Sequence, residues 1–150
     1  MEPIASSAFG FVGGIVAWFA TNYWGRALLR FWDLRHEAHK TMFIYANVSA
    51  DHPGSFARAG EGSDRLRQLG AKIDAIRAIL PTPLRWYLHM RKYDLRMAAS
   101  GLAGLSNSLG ARDSDAVWFR VQAQRGLRLP IDPTEQEQVE RKKRLEGVGL

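Results

Sequence analysis

The chain carries no charged side chain from Pro3 to Gly25, where large apolar and aromatic residues mix with small ones. A helix of that length extends about 33 Å, enough to cross a hydrocarbon core of about 30 Å. The pattern therefore predicts a transmembrane anchor over residues 1–25. A long buried core helix and a cleaved targeting signal are the alternatives.

The flanks of this segment favour the anchor. A secretory signal has a basic start and small residues at its cleavage site, whereas this segment starts with Glu2 and ends in aromatic residues. Trp18, Tyr23 and Trp24 suit the headgroup level of a membrane, as an interface aromatic belt. Basic residues follow from Arg26 onward. The positive-inside rule then predicts a single-pass inner-membrane protein with its N-terminus outside and its C-terminal domain in the cytoplasm.

Small residues gather on one half of the predicted anchor when residues are placed at 100° steps around a helix. Five of them define a predicted transmembrane interface: Ser6, Gly10, Gly13, Gly14 and Ala17. Small side chains allow two helix backbones to approach closely in lipid. The pattern predicts pairing with another copy or with another membrane protein. A span that merely tolerates kinks, without a partner, is the alternative.

Beyond the anchor the pattern is helical. An amphipathic segment runs from Arg26 to Val48, and a polar, Gly-rich stretch at 47–63 predicts a loop. The next helix has a seam of apolar residues spaced three and four apart: Leu66, Leu69, Ile73, Ile76 and Leu80. Residues 84–97 predict a further helix that leads into a small-residue stretch.

The C-terminal part begins with a strong helix-start signal. Asp132 can serve as the N-cap, Pro133 occupies the first turn, and Glu135 follows three residues after the cap. The helix it opens has almost no apolar face. No period-two pattern persists anywhere in the chain, so we predict an all-α protein. Its parts are the anchor, a small cytoplasmic helical bundle over 26–131 and an exposed polar helical tail over 132–150.

The net positive charge of the chain indicates which kinds of partner it attracts. The chain of 150 residues has a net charge of +6 and a pI near 10.1, and Glu2 alone is charged before Arg26. A basic domain of this kind attracts anions such as lipid headgroups, nucleotides, nucleic acid or an acidic protein. The chain has no cysteine, which excludes disulfides and thiolate chemistry.

Catalytic and metal motifs are not found in the sequence. The glycine-rich nucleotide-binding patterns and the serine-hydrolase elbow do not occur. His36 and His39 lie three residues apart, whereas a zinc protease helix places its two histidines four apart. We therefore predict no metal site, no cofactor and no enzymatic activity.

Two groups of residues are candidates for anion or headgroup contact. Arg35 and His39 lie on the otherwise apolar face of their helix, where a cation needs a partner. A salt bridge to Asp74, Asp94 or another carboxylate is the alternative to a bound ligand. The second group is a cationic stripe spaced four, three and four apart, which predicts one line on a helix: Arg85, His89, Lys92 and Arg96.

The stripe has three interpretations. Aromatic and leucine neighbours suit contact with an anionic membrane or an acidic partner, and a solvated outer face is equally compatible. Nucleic acid is the least favoured. We therefore predict a membrane-anchored interaction or scaffold protein, an accessory subunit or homo-oligomer, with membrane lipid and a second span as partners. The alternative is a ligand-gated membrane effector or regulator whose basic bundle binds an anionic ligand.

Overall fold

A computed structural model describes residues 2–45, 55–109 and 115–147, and the elements within these ranges are helical. The prediction of an all-α protein with a helical bundle is confirmed. In chain order the elements are α1 (Glu2–Phe19), a π-helical segment (Ala20–Gly25), α2 (Arg26–Ile44), α3 (Ser55–Ile79), α4 (Thr82–Met90), α5 (Leu95–Ser108), α6 (Asp115–Gly126) and α7 (Pro133–Gly147).

The hydrophobic core lies between α2, α3, α5 and α6. The seam predicted for α3 is buried as expected, with Leu66, Leu69 and Ile73 almost fully enclosed. These side chains meet Phe31 of α2 and Leu102 of α5 in one cluster. The short helix α4 adds Leu84 and Leu88 to the end of that cluster. Alternating steps of three and four residues thus give each helix one side for packing.

Helices α5 and α6 lie close together because glycine occurs at their crossing. A Cβ atom added at Gly101 would lie 2.5 Å from the backbone nitrogen of Ala123. One added at Gly126 would lie 2.5 Å from the backbone nitrogen of Ala98 and 2.6 Å from the carbonyl oxygen of Asp94. The small-residue stretch of the sequence therefore allows direct backbone contact between the two helices.

Helix α3 begins earlier than the sequence predicts. The Gly-rich stretch at 55–63 is helical, although glycine is a poor helix former. Gly62 is buried, and a Cβ there would lie 2.6 Å from the ring carbon Cδ1 of Tyr45. The buried ring of Tyr45 needs this space, so tertiary packing outweighs the local propensity.

The helix predicted over 84–97 is broken between α4 and α5, so the cationic stripe does not follow one helical line. The amide of Lys92 donates to the carbonyl of His89 at 2.8 Å, and that of Tyr93 donates to Leu88 at 2.9 Å. These bonds form a Schellman motif, with Lys92 in the left-handed position at φ 58°. Glycine is the usual residue there, and a side chain costs about 1 kcal/mol.

Helix α6 ends in the same way. Arg128 has φ 50°, and the amides of Arg128 and Leu129 donate to Arg125 and Gln124. The guanidinium group of Arg128 donates to the carbonyl of Arg91 at 3.0 Å and so caps the C-terminal end of α4. The strained position at Arg128 therefore carries a side chain with a structural contact that offsets its cost.

The predicted transmembrane anchor over residues 1–25 is wrong, and so is the inner-membrane localisation with the N-terminus outside and the C-terminal domain in the cytoplasm. No helix in the described part of the chain is both long and apolar enough to cross a membrane. Helix α1 has 18 residues, about 27 Å against a core of about 30 Å. Three of its last ten residues are glycine, and the polar Thr21 and Asn22 follow.

Those two polar residues stabilise the π-helical segment. The hydroxyl of Thr21 donates to the carbonyl of Ala17 at 2.8 Å, and the amide of Asn22 donates to the carbonyl of Trp18 at 3.0 Å. A π turn shifts backbone hydrogen bonds by one residue and leaves carbonyls that need donors. The side chains supply them, so the helix continues from α1 into α2 without a break.

The predicted start of α7 at Asp132 is confirmed. The carboxylate of Asp132 accepts a hydrogen bond from the amide of Thr134 at 2.8 Å, and hydrogen bonds from Thr134 lower the pKa of Asp132 below its usual value. Although α7 has almost no apolar face, Val139 is buried. Arg120 of α6 bonds Glu135 at 2.6 Å, and Lys142 contacts Asp115. The tail helix therefore lies against α6.

Replacing Gly126 with alanine should destabilise the bundle by roughly 1–3 kcal/mol, because the new methyl group overlaps backbone atoms of α5. Gly60→Ala is the matched control, since no atom lies within 4 Å of a Cβ at that helical position. It should stabilise the fold by about 0.5–1 kcal/mol. Urea unfolding measures both changes, and equal effects would contradict the close contact.

Candidate functional site

The four residues of the predicted cationic stripe line one cleft in spite of the helix break. The cleft lies between the end of α3, the helix α4 and the start of α5, and its volume is about 910 Å³. The basic side chains around it are Arg77, Arg85, His89, Lys92 and Arg96. We call the cleft lined by these five side chains the cationic cleft. Because the chain turns at Lys92, the stripe curves around a concavity instead of following a single helix.

The cations of the cleft differ in what they contact. Arg85 donates to the carbonyl of Leu80 at 3.3 Å, and Arg77 pairs with Asp74 at 2.9 Å. His89, Lys92 and Arg96 form no ion pair or side-chain hydrogen bond with any residue that the structure describes. Three of the five cationic groups are therefore available to a ligand.

The deeper part of the cleft is apolar. Leu80, Leu88 and Leu95 line it with atoms of the hydrophobic core, and Tyr93 is half-buried beside them. The acidic residue of the lining is Asp94, whose carboxylate accepts a hydrogen bond from the amide of Met97 at 2.9 Å. The cleft thus combines an apolar base with a rim of positive charge.

Tyr93 connects the cleft to α2. Its ring centre lies 5.2 Å from that of Phe31 and 6.1 Å from that of Trp32, both in edge-to-face arrangements. The guanidinium of Arg35 lies 5.4 Å from the ring centre of Trp32. Aromatic pairs in this geometry stabilise a contact beyond their buried area. The turn that carries Lys92 is therefore held against α2.

Arg35 has an internal role in the fold. Its guanidinium donates to the carbonyls of Leu127 and Arg128, each at 2.9 Å, and so caps the C-terminal end of α6. The partner is a helix end with partial negative charge, where the sequence had suggested a carboxylate or a ligand. His39 is exposed on α2 and does not line the cationic cleft. The structure thus separates this pair from the other four residues.

The histidine pair of α2 was weighed as a metal site in the sequence. His36 and His39 are both exposed. In the described ranges no group of three or more histidine, cysteine or acidic residues could hold a metal ion.

The second surface of interest is the end of the N-terminal helix. Large apolar side chains here are 43–71% exposed: Phe11, Val12, Ile15, Val16, Trp18, Phe19, Tyr23 and Trp24. A Cβ added at Gly10, Gly13 or Gly14 would have no atom within 4 Å. Ala17 is exposed as well, and the side chain of Ser6 lies outside the described part of the chain. The predicted small-residue interface therefore faces open space.

One side of this helix forms a groove. Gly10 and Gly14 lie in it beside the large side chains of Phe11, Ile15, Trp18 and Phe19. The small side chains thus lie directly beside large ones. Gly13 lies about 100° around the helix from Gly14 and is not part of the groove.

Sequence reasoning missed Arg77 as a member of the cleft. Arg77 lies on the exposed side of α3, where charged residues are ordinarily solvated. Its place beside the stripe depends on the sharp turn through Pro81, which brings the end of α3 next to α4. Pro81 and Pro83 follow the end of α3 and cannot continue its helix, but the sequence pattern gives no angle for the turn.

Comparisons with family models, with curated proteins and with solved structures find no match for this chain.

Replacing Arg35 with methionine should destabilise the protein by about 1.5–3 kcal/mol, since two carbonyls at the end of α6 lose a charged donor. Arg30→Met is the matched control, because Arg30 is exposed on the same helix without a side-chain contact in the described ranges. Its effect should stay within about 0.5 kcal/mol. Equal losses in urea unfolding would show that Arg35 does not hold α6.

Proposed function

We propose that this protein is a helical interaction protein that associates with a second copy of itself through the groove side of its N-terminal helix. A single observation carries the proposal. The end of α1 and the π-helical segment expose eight large apolar side chains within residues 11–24, whereas the other exposed large apolar side chains of the described chain are spread over residues 29–90. A contiguous apolar surface rimmed by polar residues typically marks a contact with another molecule.

The exposed apolar area of the N-terminal helix is comparable to that of a protein interface. Phe11, Trp18, Phe19, Tyr23 and Trp24 are each about half exposed or more. Aromatic side chains bury 150–250 Å² each, so these five leave roughly 500–700 Å² of apolar surface in water. The largest patch on a typical monomer is about 300–600 Å². Two copies that cover each other would together bury roughly 1,000–1,400 Å², near the range of specific interfaces.

A second copy fits this surface better than an unrelated charged protein. Residues 10–25 contain no charged side chain, so a charged partner surface would lose water without gaining an opposite charge. The groove also presents both glycine and large side chains. Two such grooves can pack their large side chains against each other's glycines, which is how a two-fold interface becomes self-complementary.

Pairing of two N-terminal helices explains why the groove contains glycine residues. Because Gly10 and Gly14 have no Cβ, a large side chain of the partner can reach the helix backbone in the groove. Packing at that depth gains many dispersion contacts, each small but collectively substantial. The basic bundle then projects from the paired helices, and each copy presents its cationic cleft to other molecules.

Gly14→Leu should weaken self-association of the full chain at least tenfold, since the new side chain fills the groove. Gly60→Leu is the matched control, because it adds the same bulk to an exposed helical glycine of α3 where no atom lies within 4 Å of a Cβ, and it should leave association unchanged. Sedimentation equilibrium at micromolar concentrations measures both. Far-UV circular dichroism checks that the bundle is intact.

Two results would contradict the proposal. The first is a wild-type protein that sediments as a monomer throughout the concentration range, which would leave no homo-oligomer to explain. The second is a Gly14→Leu variant that associates more tightly than the wild type. That outcome would show unspecific apolar attraction, because leucine adds apolar area while it removes the groove.

A further inference from the structure

The two strained backbone positions of the described chain differ in what their side chains do. Arg128 at φ 50° donates to the carbonyl of Arg91, so its side chain has a structural role that offsets the strain. Lys92 at φ 58° forms no side-chain hydrogen bond or ion pair within the described ranges. Glycine would relieve the strain at either position. Strain that no internal contact offsets is typical of functional positions.

The surroundings of Lys92 indicate what its ammonium group contacts. His89 and Arg96, which also lack partners in the described chain, line the same cleft, and Arg77 and Arg85 lie at its edge. The lining holds four lysine or arginine side chains against the carboxylate of Asp94, which accepts a hydrogen bond from the amide of Met97. Repulsion among cations held at one concavity is relieved by a bound anion.

We infer that the cationic cleft is a binding site for a small organic phosphate, with the phosphate groups held by His89, Lys92 and Arg96. Arginine supplies a planar pair of donors suited to phosphate oxygens, and lysine supplies a compact point charge. Several phosphates in a row, as in a nucleoside triphosphate, match several cations around one rim. This site is separate from the groove of the N-terminal helix and does not depend on self-association.

The apolar base of the cleft favours an organic phosphate over an inorganic one. Met90, which is 62% exposed, and the half-buried Tyr93 offer apolar and aromatic surface beside the cations. A base or another apolar group joined to the phosphates can cover that surface and gain from its burial. Free polyphosphate would meet the cations alone.

The shape of the cleft favours a small molecule over a nucleic acid. Its volume of about 910 Å³ lies within the range of small-molecule sites, about 300–1,000 Å³. Proteins that track single strands combine a long charged groove with a series of stacking aromatic side chains. Tyr93 is the aromatic residue in the lining of the cleft. The concavity is therefore suited to one ligand with a few charges.

Isothermal titration of the full chain with ATP, tripolyphosphate and adenosine tests the inference. ATP should bind, tripolyphosphate should bind at least several-fold more weakly, and adenosine should not bind measurably. Equal affinity for ATP and tripolyphosphate would overturn the claim of an organic ligand. No binding of ATP would overturn the site itself.

Variants identify the residues. Lys92→Gly and Arg96→Met should each weaken ATP binding about tenfold, or about 1.4 kcal/mol. Arg141→Met is the matched control, because it removes one exposed cation that pairs with Glu137 on α7, and affinity should not change. An equal loss in all three variants would show general attraction of anions to a basic protein and would overturn the inference.

Lys92→Gly has a second readout that separates binding from folding. Relief of the left-handed strain should raise the melting temperature of the free protein by about 2–4 °C, while ATP binding falls. Loss of binding together with a lower melting temperature would overturn the claim that Lys92 is kept for a ligand. A single-stranded oligonucleotide that binds more tightly than ATP and displaces it would assign the cleft to nucleic acid instead.

Discussion

The contact between the guanidinium group of Arg35 and the end of α6 organises this bundle. Two carbonyls of the α6 terminus accept its hydrogen bonds, so the first long helix of the bundle is tied to a segment more than ninety residues later. Gly126, in the same terminus, accepts a hydrogen bond from the amide of Asp94 and lies against the start of α5. Arg128 then reaches from this terminus to the carbonyl of Arg91. Two helix ends with partial negative charge, those of α6 and α4, are thus each capped by an arginine from another element.

The cationic cleft depends on that arrangement. The turn from α4 to α5 is held from one side by the end of α6 and from the other by the aromatic contacts of Tyr93 with α2. Between these supports the backbone adopts a left-handed conformation at a residue that is not glycine. The same turn converts a row of cations into a concave rim around apolar side chains. The packing of the turn between α4 and α5 against the core therefore also positions the charges of the cationic cleft.

Sequence patterns predicted the structural features that depend on residues close together in the chain. The apolar seam of α3 and the start of α7 at Asp132 follow from helical periodicity and capping, which act within a few residues. The residues of the stripe were recognised, but not the cleft they form, because the Schellman turn at Lys92 lacks the glycine that normally signals it. The helical start of α3 depends on Tyr45 lying over Gly62, a contact that no local pattern reveals. Arg35 was recognised as a buried cation that needs a partner, and its partner proved to be a helix terminus. The transmembrane prediction failed because lack of charge was read as apolar length, although glycine and polar residues shorten the apolar stretch.

The π-helical segment gives the N-terminal helix a defined angular setting. From Glu2 to Ile44 the chain forms one continuous helical rod, about 65 Å long at 1.5 Å per residue. A π turn accommodates one more residue than an α turn, so it rotates everything before it by about 100° relative to everything after it. The side of α2 that faces the bundle is fixed by its core contacts. The π-helical segment therefore sets the rotation of α1 about the helix axis, and with it the side of the rod on which the groove lies.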